Sequence, residues 1–265
     1  MSHRLTEHAL QESRRFSMRR LPLWQPLAWL ARGWRDFMAC PWPGLLHGVL
    51  MAGFGWVLLW LADHQFWLVA GAFSGFLLVA PILATGLLAI SRQLTHGGTP
   101  GLSTAAAAWH PKDRRLVVFG GCLALAGTGW VLTSASLIDS MAPGLVDTPE
   151  DFVRNVVLAE TGVLFEMWLG LGALLAAPVF ASTVVTVALL LDRPVSVLAA
   201  VLTSWRVVME HPVPMALWAV LIMGLTLLGM ALMLLGLVLT VPWIAHASWH
   251  AYQDTVAASG PAERN

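Results

Sequence analysis

The chain has 265 residues, of which 57% are hydrophobic and only 11% are charged, and its mean hydropathy is +0.71. A soluble domain carries about 25% charged residues, so this composition excludes a water-soluble globular protein and predicts an integral membrane protein. The net charge is zero, and the two cysteines, Cys40 and Cys122, form no CxxC pattern that would indicate a disulfide framework or a thiolate metal site.

The N-terminal segment, residues 1–24, is polar and rich in arginine. It lacks the apolar core of a cleavable signal peptide, so we expect it to stay in the cytoplasm. Five apolar stretches follow, each long enough to cross a bilayer, which takes about 20 residues: 43–62, 66–91, 116–138, 161–191 and 214–252.

The last stretch, residues 214–252, is too long for one membrane crossing. A single helix of this length would extend roughly 58 Å at 1.5 Å per residue, about twice the hydrocarbon thickness. The stretch therefore predicts two helices with a tight reversal near Gly229. The total becomes six spans.

Shorter helices are predicted between the spans. Residues 99–109 and 193–205 have proline near the start and tryptophan at the end, and they lie beside basic residues. This pattern is typical of helices in the headgroup plane, here on the cytoplasmic side. On the opposite side, residues 147–160 begin with Asp-Thr-Pro and acidic residues, which predicts a short capped helix.

Two motifs recur along the chain. Residues 75–84, 172–181 and 236–245 fit G-x5-P-x2-A, and each lies in an even-numbered span. Residues 34–43 and 205–214 fit WR-x2-M-x2-P-x-P, with a degraded counterpart at 109–115. Recurrence at this period indicates repeated supersecondary units.

The repeats define the predicted organisation. Three tandem two-helix units (about 25–92, 99–191 and 193–255) form a six-span membrane domain over residues 25–255, followed by a cytoplasmic tail, 256–265. Because each unit crosses twice, all three share one orientation and predict a pseudo-threefold arrangement. The fold class is all-α integral membrane. The recurrent proline either shapes helix packing alone or provides a gating hinge.

Arginine and lysine predict the orientation. Of the 15 basic residues, 14 fall in the N-terminal segment, the tail and the loops on one side. Only Arg154 falls on the other side, with most loop acids. By the positive-inside rule the basic side is the cytoplasm, and both termini are cytoplasmic.

One polar group stands out near the C-terminus. His246, His250 and Asp254 are spaced i, i+4, i+8 and share one helix face, where two imidazoles and a carboxylate could bind a metal ion. His47, His110 and His211 are predicted at the same cytoplasmic level. The alternative is an interfacial polar stripe flanked by Trp243, Trp249 and Tyr252.

Glu166 is a second candidate for a functional site. An acid about one and a half turns inside span four is energetically unfavourable unless it pairs with another polar group or contacts water. It could carry protons or bind a cation. Alternatively, span four starts later and Glu166 lies at the outer interface.

No enzymatic motif was found in the sequence: neither a Walker or Rossmann glycine loop nor a nucleophile elbow occurs. We therefore expect no enzyme, no cofactor and no nucleic-acid partner. The expected partners are the lipid bilayer and, where the faces allow it, other membrane proteins or a second copy. An accessory, assembly or envelope-maintenance factor is one hypothesis. A small-solute or metal-ion transporter or channel, with its pathway along the pseudo-threefold axis, is another. A haem-binding membrane protein is a third.

The segments GWRDF (33–37) and HASWHAYQD (246–254), together with the three Gly/Pro/Ala motifs, resemble an uncharacterised family of bacterial predicted integral membrane proteins. Some members of that family carry labels relating them to cytochrome oxidase subunit one. The resemblance covers nearly the whole chain from about residue 25. It implies a multi-pass protein of the bacterial inner membrane with a six-span fold.

Overall fold

The computed structural model describes residues 2–62, 84–108, 114–159 and 162–258. In these ranges the chain is predominantly helical, which confirms the predicted all-α class. The helices are α1 (Ser2–Arg14), α2 (Gln25–Ala39), α3 (Pro41–Ala62), α4 (Thr85–Thr95), α5 (Leu102–Ala108), α6 (Arg114–Met141), α7 (Pro149–Phe152), α8 (Leu164–Thr183), α9 (Thr186–Asp192), α10 (Val197–Glu210), α11 (Pro212–Ala231) and α12 (Leu237–Thr255). Two short strands, β1 (Phe16–Met18) and β2 (Val256–Ala258), and a π-helical segment, Val153–Val157, complete the described elements.

Four helical segments in the described ranges are long and apolar enough to cross a membrane: Pro41–Trp60, Arg114–Met141, Leu164–Asp192 and Pro212–Ala231. They coincide with four of the predicted spans. Most of the predicted span 66–91 lies outside the described residues, and α4 contains its end. Helix α12 is not among the four, because its second half is polar. Six spans therefore remain a prediction.

The long C-terminal stretch is broken into two helices, as predicted. Helix α11 ends at Ala231 and α12 begins at Leu237. The reversal occupies residues 232–236 rather than Gly229 itself, and Met233 (φ 55°) and Leu234 (φ 64°) adopt left-handed backbone conformations to make it. A Cβ on Gly236 would lie 2.7 Å from the Cα of Gly229, so two glycines permit the close approach of the helices.

The described chain divides into two compact units. Unit 1 comprises residues 2–52, 84–108, 114–119 and 180–258, and α12 packs at its centre against α2, α4 and α11. Gly33 is essential to this packing, because a Cβ there would lie 2.5 Å from the backbone nitrogen of Ala247. The largest buried side chains include Trp29, Trp218 and Trp249, and Trp29 meets Trp218 edge to face with ring centroids 5.6 Å apart.

The N-terminal segment belongs to unit 1 and is tied to the C-terminal end of α12. Strand β1 pairs antiparallel with β2, with Phe16 opposite Ala258. Helix α1 packs on α10, where Ser13 is 3.0 Å from the hydroxyl of Thr203. The sequence did not predict this sheet, because three-residue strands are too short to show an alternating pattern.

Unit 2 comprises residues 53–62, 120–159 and 162–179. Its buried apolar cluster contains Ile138, Val146, Val156 and Leu164. The predicted short helix after residue 147 is present as α7. The hydroxyl of Thr148 accepts from the backbone N–H of Asp151, and the carboxylate of Asp151 accepts from the backbone N–H of Thr148, each at 3.1 Å, which is a capping box.

The two WR-x2-M-x2-P-x-P segments have the same local structure. In each, a helix ends and the next begins at the first proline, with one residue between them, Cys40 or His211. The backbone at Cys40 (φ −143°, ψ 71°) nearly repeats that at His211 (φ −132°, ψ 56°). Pro178 and Pro242, at matching positions of the Gly/Pro/Ala motif, both lie inside helices, and Pro81 lies outside the described residues.

Candidate functional site

Helix α12 holds two histidines in a buried polar cluster within unit 1. His246 is fully buried, and its Nδ1 lies 2.8 Å from the hydroxyl of Ser91 on α4. His250 is 7% exposed, and its Nε2 lies 2.9 Å from Oδ2 of Asp36 on α2. Three helices thus contribute to one group of side chains, which we call the His–Asp cluster: Asp36, Ser91, His246 and His250.

Asp36 accepts hydrogen bonds within this cluster. Burial raises the pKa of Asp36, but hydrogen bonds from His250 and Ser91 outweigh that effect and hold the pKa below its ordinary value. Ser91 is also the hydrogen-bond partner of His246, so its hydroxyl links the aspartate to that histidine.

Two imidazole nitrogens of the cluster have no hydrogen-bond partner within the described chain. They are Nε2 of His246 and Nδ1 of His250, and both are buried. His47 of α3 is 2% exposed and is close enough to interact electrostatically with His246. Buried polar atoms are normally satisfied, so these two nitrogens indicate a place for an additional bond.

Asp254 does not join the histidines. Its carboxylate accepts from Gln25 at 2.6 Å, from the indole of Trp29 at 2.9 Å and from both terminal nitrogens of Arg32. Burial raises the pKa of Asp254, but the hydrogen bonds, led by that from Arg32, keep it below its ordinary value. All the donors lie on α2, so Asp254 anchors α12 to α2.

The predicted metal set of His246, His250 and Asp254 is therefore not assembled. Within the described ranges, no group of three or more histidine, cysteine, aspartate or glutamate side chains is arranged to hold a metal ion. His211 lies elsewhere in unit 1, with its Nε2 2.5 Å from the carbonyl oxygen of Arg19. His110 lies outside the described residues.

A second network that the sequence did not suggest centres on Asp192. Its carboxylate accepts from Arg92 at 2.8 Å, from Arg193 at 3.0 Å and from the hydroxyl of Tyr252 at 2.7 Å. These partners come from α4, from the residue after α9 and from α12. The network therefore joins three parts of unit 1.

Glu166 lies in the first turn of α8 and is exposed. This position is favourable for an acid, because the N-terminal end of a helix carries a partial positive charge. The sequence left open whether Glu166 lies inside span four or at the outer interface. The start of α8 at Leu164 favours the interface. No polar partner of Glu166 is present in the described residues of unit 2 that would mark a cation site.

Sequence reasoning missed Asp36 and Ser91. Asp36 precedes the Pro-x-Pro entry to span one, within a segment noted for its repeated motif and its family resemblance, and Ser91 ends a predicted span. The signal that was available is the motif WRDF, which places one acid on a helix otherwise rich in tryptophan and arginine. Nothing in the sequence showed that this acid meets a histidine 214 positions away.

Comparison with known proteins identifies one related family. Residues 68–192 match the family described as predicted integral membrane protein, DUF2189. The DUF2189 match confirms the resemblance to an uncharacterised family of integral membrane proteins. It includes Ser91 and Asp192 but not Asp36, His246 or His250. No curated protein and no solved structure matches the chain significantly.

Proposed function

We propose that this protein is a six-span, non-enzymatic accessory, assembly or envelope-maintenance factor of the bacterial inner membrane. The observation that carries the proposal is the hydrogen bonding of two carboxylates in unit 1. Asp254 and Asp192 each accept hydrogen bonds from three other residues. Carboxylates held in this way stabilise packing and are not free to line a solute pathway. A rigid scaffold explains unit 1 better than a transporter does.

The paired repeats support the six-span arrangement. The α2–α3 and α10–α11 junctions share one residue spacing and one backbone conformation. Helices α11 and α12 pack against each other across a five-residue reversal, which is the form expected of the third hairpin. With the predicted span 66–91 and α12, the four apolar segments become six crossings in three hairpins.

The charge distribution supports the orientation. Every described basic residue except Arg154 belongs to unit 1, which also contains the described parts of both chain ends. Unit 2 contains the acidic segment around Asp147 and Asp151. By the positive-inside rule, the loops and chain ends that carry these basic residues are cytoplasmic.

An accessory factor needs a surface for its partner, and the predicted interfacial helix α10 offers one. Leu198, Trp205 and Met209 of this helix are exposed, and Met209 has 72% of its surface free. Leu125, on the membrane-crossing helix α6, is 76% exposed, a fraction close to that of Met209. The two positions therefore differ in location but not in accessibility.

Photo-crosslinking in living cells tests the proposal. A photoreactive amino acid at Met209 is expected to give one discrete adduct with another membrane protein, and the same residue at Leu125 is expected to give none. Absence of a protein adduct at Met209 would contradict the accessory role. In that event, solute flux in wild-type proteoliposomes that is lost in Glu166→Gln would establish the transporter alternative.

A further inference from the structure

A polar cavity of about 480 Å³ lies at the C-terminal end of α12, within unit 1. Four parts of the chain form its wall: the residue after β1, the end of α4, the connection between α9 and α10, and the end of α12 with the start of β2. Its polar lining side chains include Arg19, His96, Asp192, Arg193, Gln253 and Asp254. The cavity is large enough for a small ligand, since such sites usually enclose roughly 300–1,000 Å³.

The charges at this cavity favour an anion. Each of the two aspartates on the wall already has at least one arginine beside it: Arg32 for Asp254, and Arg92 and Arg193 for Asp192. Arg19 is a further cation on the wall, and no acid in the described part of the chain pairs with it. Four arginines therefore accompany two aspartates, which leaves an excess of two positive charges.

The backbone of Arg19 is tied to two neighbours, whereas its side chain is not. The N–H of Arg19 donates to the carbonyl of Thr255 at 3.4 Å, and its carbonyl accepts from Nε2 of His211 at 2.5 Å. Its guanidinium makes no hydrogen bond to the described residues. The fold thus holds Arg19 at the wall of the cavity and leaves the N–H donors of its guanidinium available to a ligand.

Arg193 is positioned by a different set of bonds. The guanidinium of Arg115 donates to the carbonyls of Leu190, Arg193 and Val195 at 3.1, 2.9 and 2.8 Å, which fixes the connection between α9 and α10. Arg193 binds Asp192 through Nε at 3.0 Å, and 46% of its side chain remains exposed. A site whose backbone is already ordered binds its ligand with a smaller loss of conformational entropy.

We propose that this cavity binds a phosphate group between Arg19 and Arg193. The planar guanidinium matches the oxygens of phosphate, with which it forms paired, charge-assisted hydrogen bonds. A phosphate monoester carries about two negative charges near neutral pH, so it balances the excess positive charge better than a single carboxylate does. The amide of Gln253 has no partner in the described chain and lies on the same wall, where it can donate a further hydrogen bond.

The phosphate can come from two sources, a water-soluble phosphate compound or the headgroup of an anionic phospholipid. Basic pockets at the cytoplasmic ends of membrane helices bind such headgroups. The chemistry that recognises the ligand is the same in both cases. The proposal does not depend on the accessory role or on the number of spans.

Isothermal titration calorimetry tests the water-soluble source. Full-length protein in phosphatidylcholine nanodiscs is titrated with sodium phosphate and, for comparison, with sodium chloride at equal ionic strength. Arg19→Gln is expected to weaken phosphate binding by about tenfold or more, because charged hydrogen bonds to the ligand are lost. Arg20→Gln is the matched control and should bind as the wild type does. Arg20 is the next residue in the chain, is exposed and lines a different cavity, beside Glu210.

Native mass spectrometry tests the lipid source. Full-length protein in detergent is mixed with cardiolipin or with phosphatidylcholine, and the retained lipids are counted. If a headgroup is the ligand, the wild type and Arg20→Gln retain cardiolipin in preference to phosphatidylcholine, and Arg19→Gln loses this preference. Binding of phosphate, of cardiolipin or of both supports the proposal and identifies the source.

Two results would overturn the proposal. The first is a wild-type protein that binds neither phosphate above the chloride control nor cardiolipin above phosphatidylcholine, a measurement that needs no variant. The second is equal binding by Arg19→Gln and Arg20→Gln, since the guanidinium of Arg19 would then not contact the ligand. Neither side chain bonds to the described residues, so both variants are expected to unfold at the wild-type temperature.

Discussion

At the residue scale, the identity of the donor determines what each acid does. Asp254 receives a two-pronged contact from Arg32 and two further hydrogen bonds from α2. This geometry fixes the end of α12 against α2. Asp36 instead faces a histidine. Two acids on facing helices therefore have different partners, since Asp254 pairs with an arginine and Asp36 with a histidine.

The role of Asp254 predicts a pH-dependent stability. The pKa of Asp254 is lowered in the folded protein, so its contribution is present above the ordinary aspartate pKa, about 3.9, and is lost as the pH falls through the folded value. We expect Asp254→Asn to lower the free energy of unfolding by about 1–3 kcal/mol at pH 7, since charged hydrogen bonds are replaced by neutral ones.

Thermal unfolding in detergent at pH 7 and at pH 3.5 measures this effect. The gap in stability between the wild type and Asp254→Asn should narrow at the lower pH, because below the ordinary aspartate pKa the unfolded chain takes up a proton that the folded carboxylate still resists. Glu150→Gln is the control, since Glu150 forms only an exposed pair with Arg154. A gap that widens on acidification would contradict the assigned role.

The residue scale is also where prediction from the sequence was weakest. His246 and His250 were identified because their spacing is visible along one helix. Asp36 and Ser91 were not, because their contacts join positions 214 and 155 residues apart. Such contacts depend on how α2, α4 and α12 pack. Local spacing also misled in the case of Asp254, because the donors that bind its carboxylate lie on α2 and not on its own helix.

At the scale of helices and strands, the hydropathy of the sequence predicted the positions of the elements better than local spacing predicted individual contacts. The four apolar segments were located from the sequence because lipid demands long runs of apolar side chains. The break after α11 was foreseen from length alone. The mixed character of α12 was not, since its first half is apolar while its second half packs within unit 1 and carries buried polar side chains.

Two glycines on α3 provide a matched test of helix packing. A Cβ at Gly48 would collide with the carbonyl oxygen of Val238 and lie 2.5 Å from its Cα, whereas a Cβ at Gly53 would meet no atom within 4 Å. Gly48→Ala must therefore push α3 and α12 apart, and we expect it to lower the free energy of unfolding by about 1–3 kcal/mol.

Gly53→Ala is the control on the same helix. We expect it to be neutral or to stabilise by about 0.5–1 kcal/mol, because alanine favours a helix over glycine and no atom blocks its side chain. Unfolding in a mild detergent compares the two variants. Equal stability of Gly48→Ala and Gly53→Ala would mean that α3 and α12 do not approach closely at Gly48.

At the scale of the whole molecule, the pairing of β1 with β2 constrains the topology. The strands bring residues 16–18 beside residues 256–258, near the two ends of the chain. Paired segments lie on the same side of a membrane, so an even number of crossings separates them. The sequence reached the same expectation from arginine and lysine alone. The pairing of β1 with β2 and the distribution of basic residues thus favour the same arrangement, in which both ends of the chain lie on one side of the membrane.

Cysteine labelling tests that arrangement. In a background with Cys40→Ser and Cys122→Ser, single cysteines replace His8, Leu145 or Ala262, and intact spheroplasts are treated with a membrane-impermeant maleimide. Leu145→Cys is expected to react at once, because Leu145 is 81% exposed and lies in the acidic segment predicted to face outward. His8→Cys and Ala262→Cys are expected to react only after lysis.

Lysed cells are the control for reactivity, since every one of these cysteines should then be labelled. Labelling of His8→Cys in intact spheroplasts would reverse the orientation and leave the even count intact. Different accessibility of His8→Cys and Ala262→Cys would require an odd number of crossings. That result would contradict three like-oriented hairpins, because each hairpin returns the chain to the side from which it started.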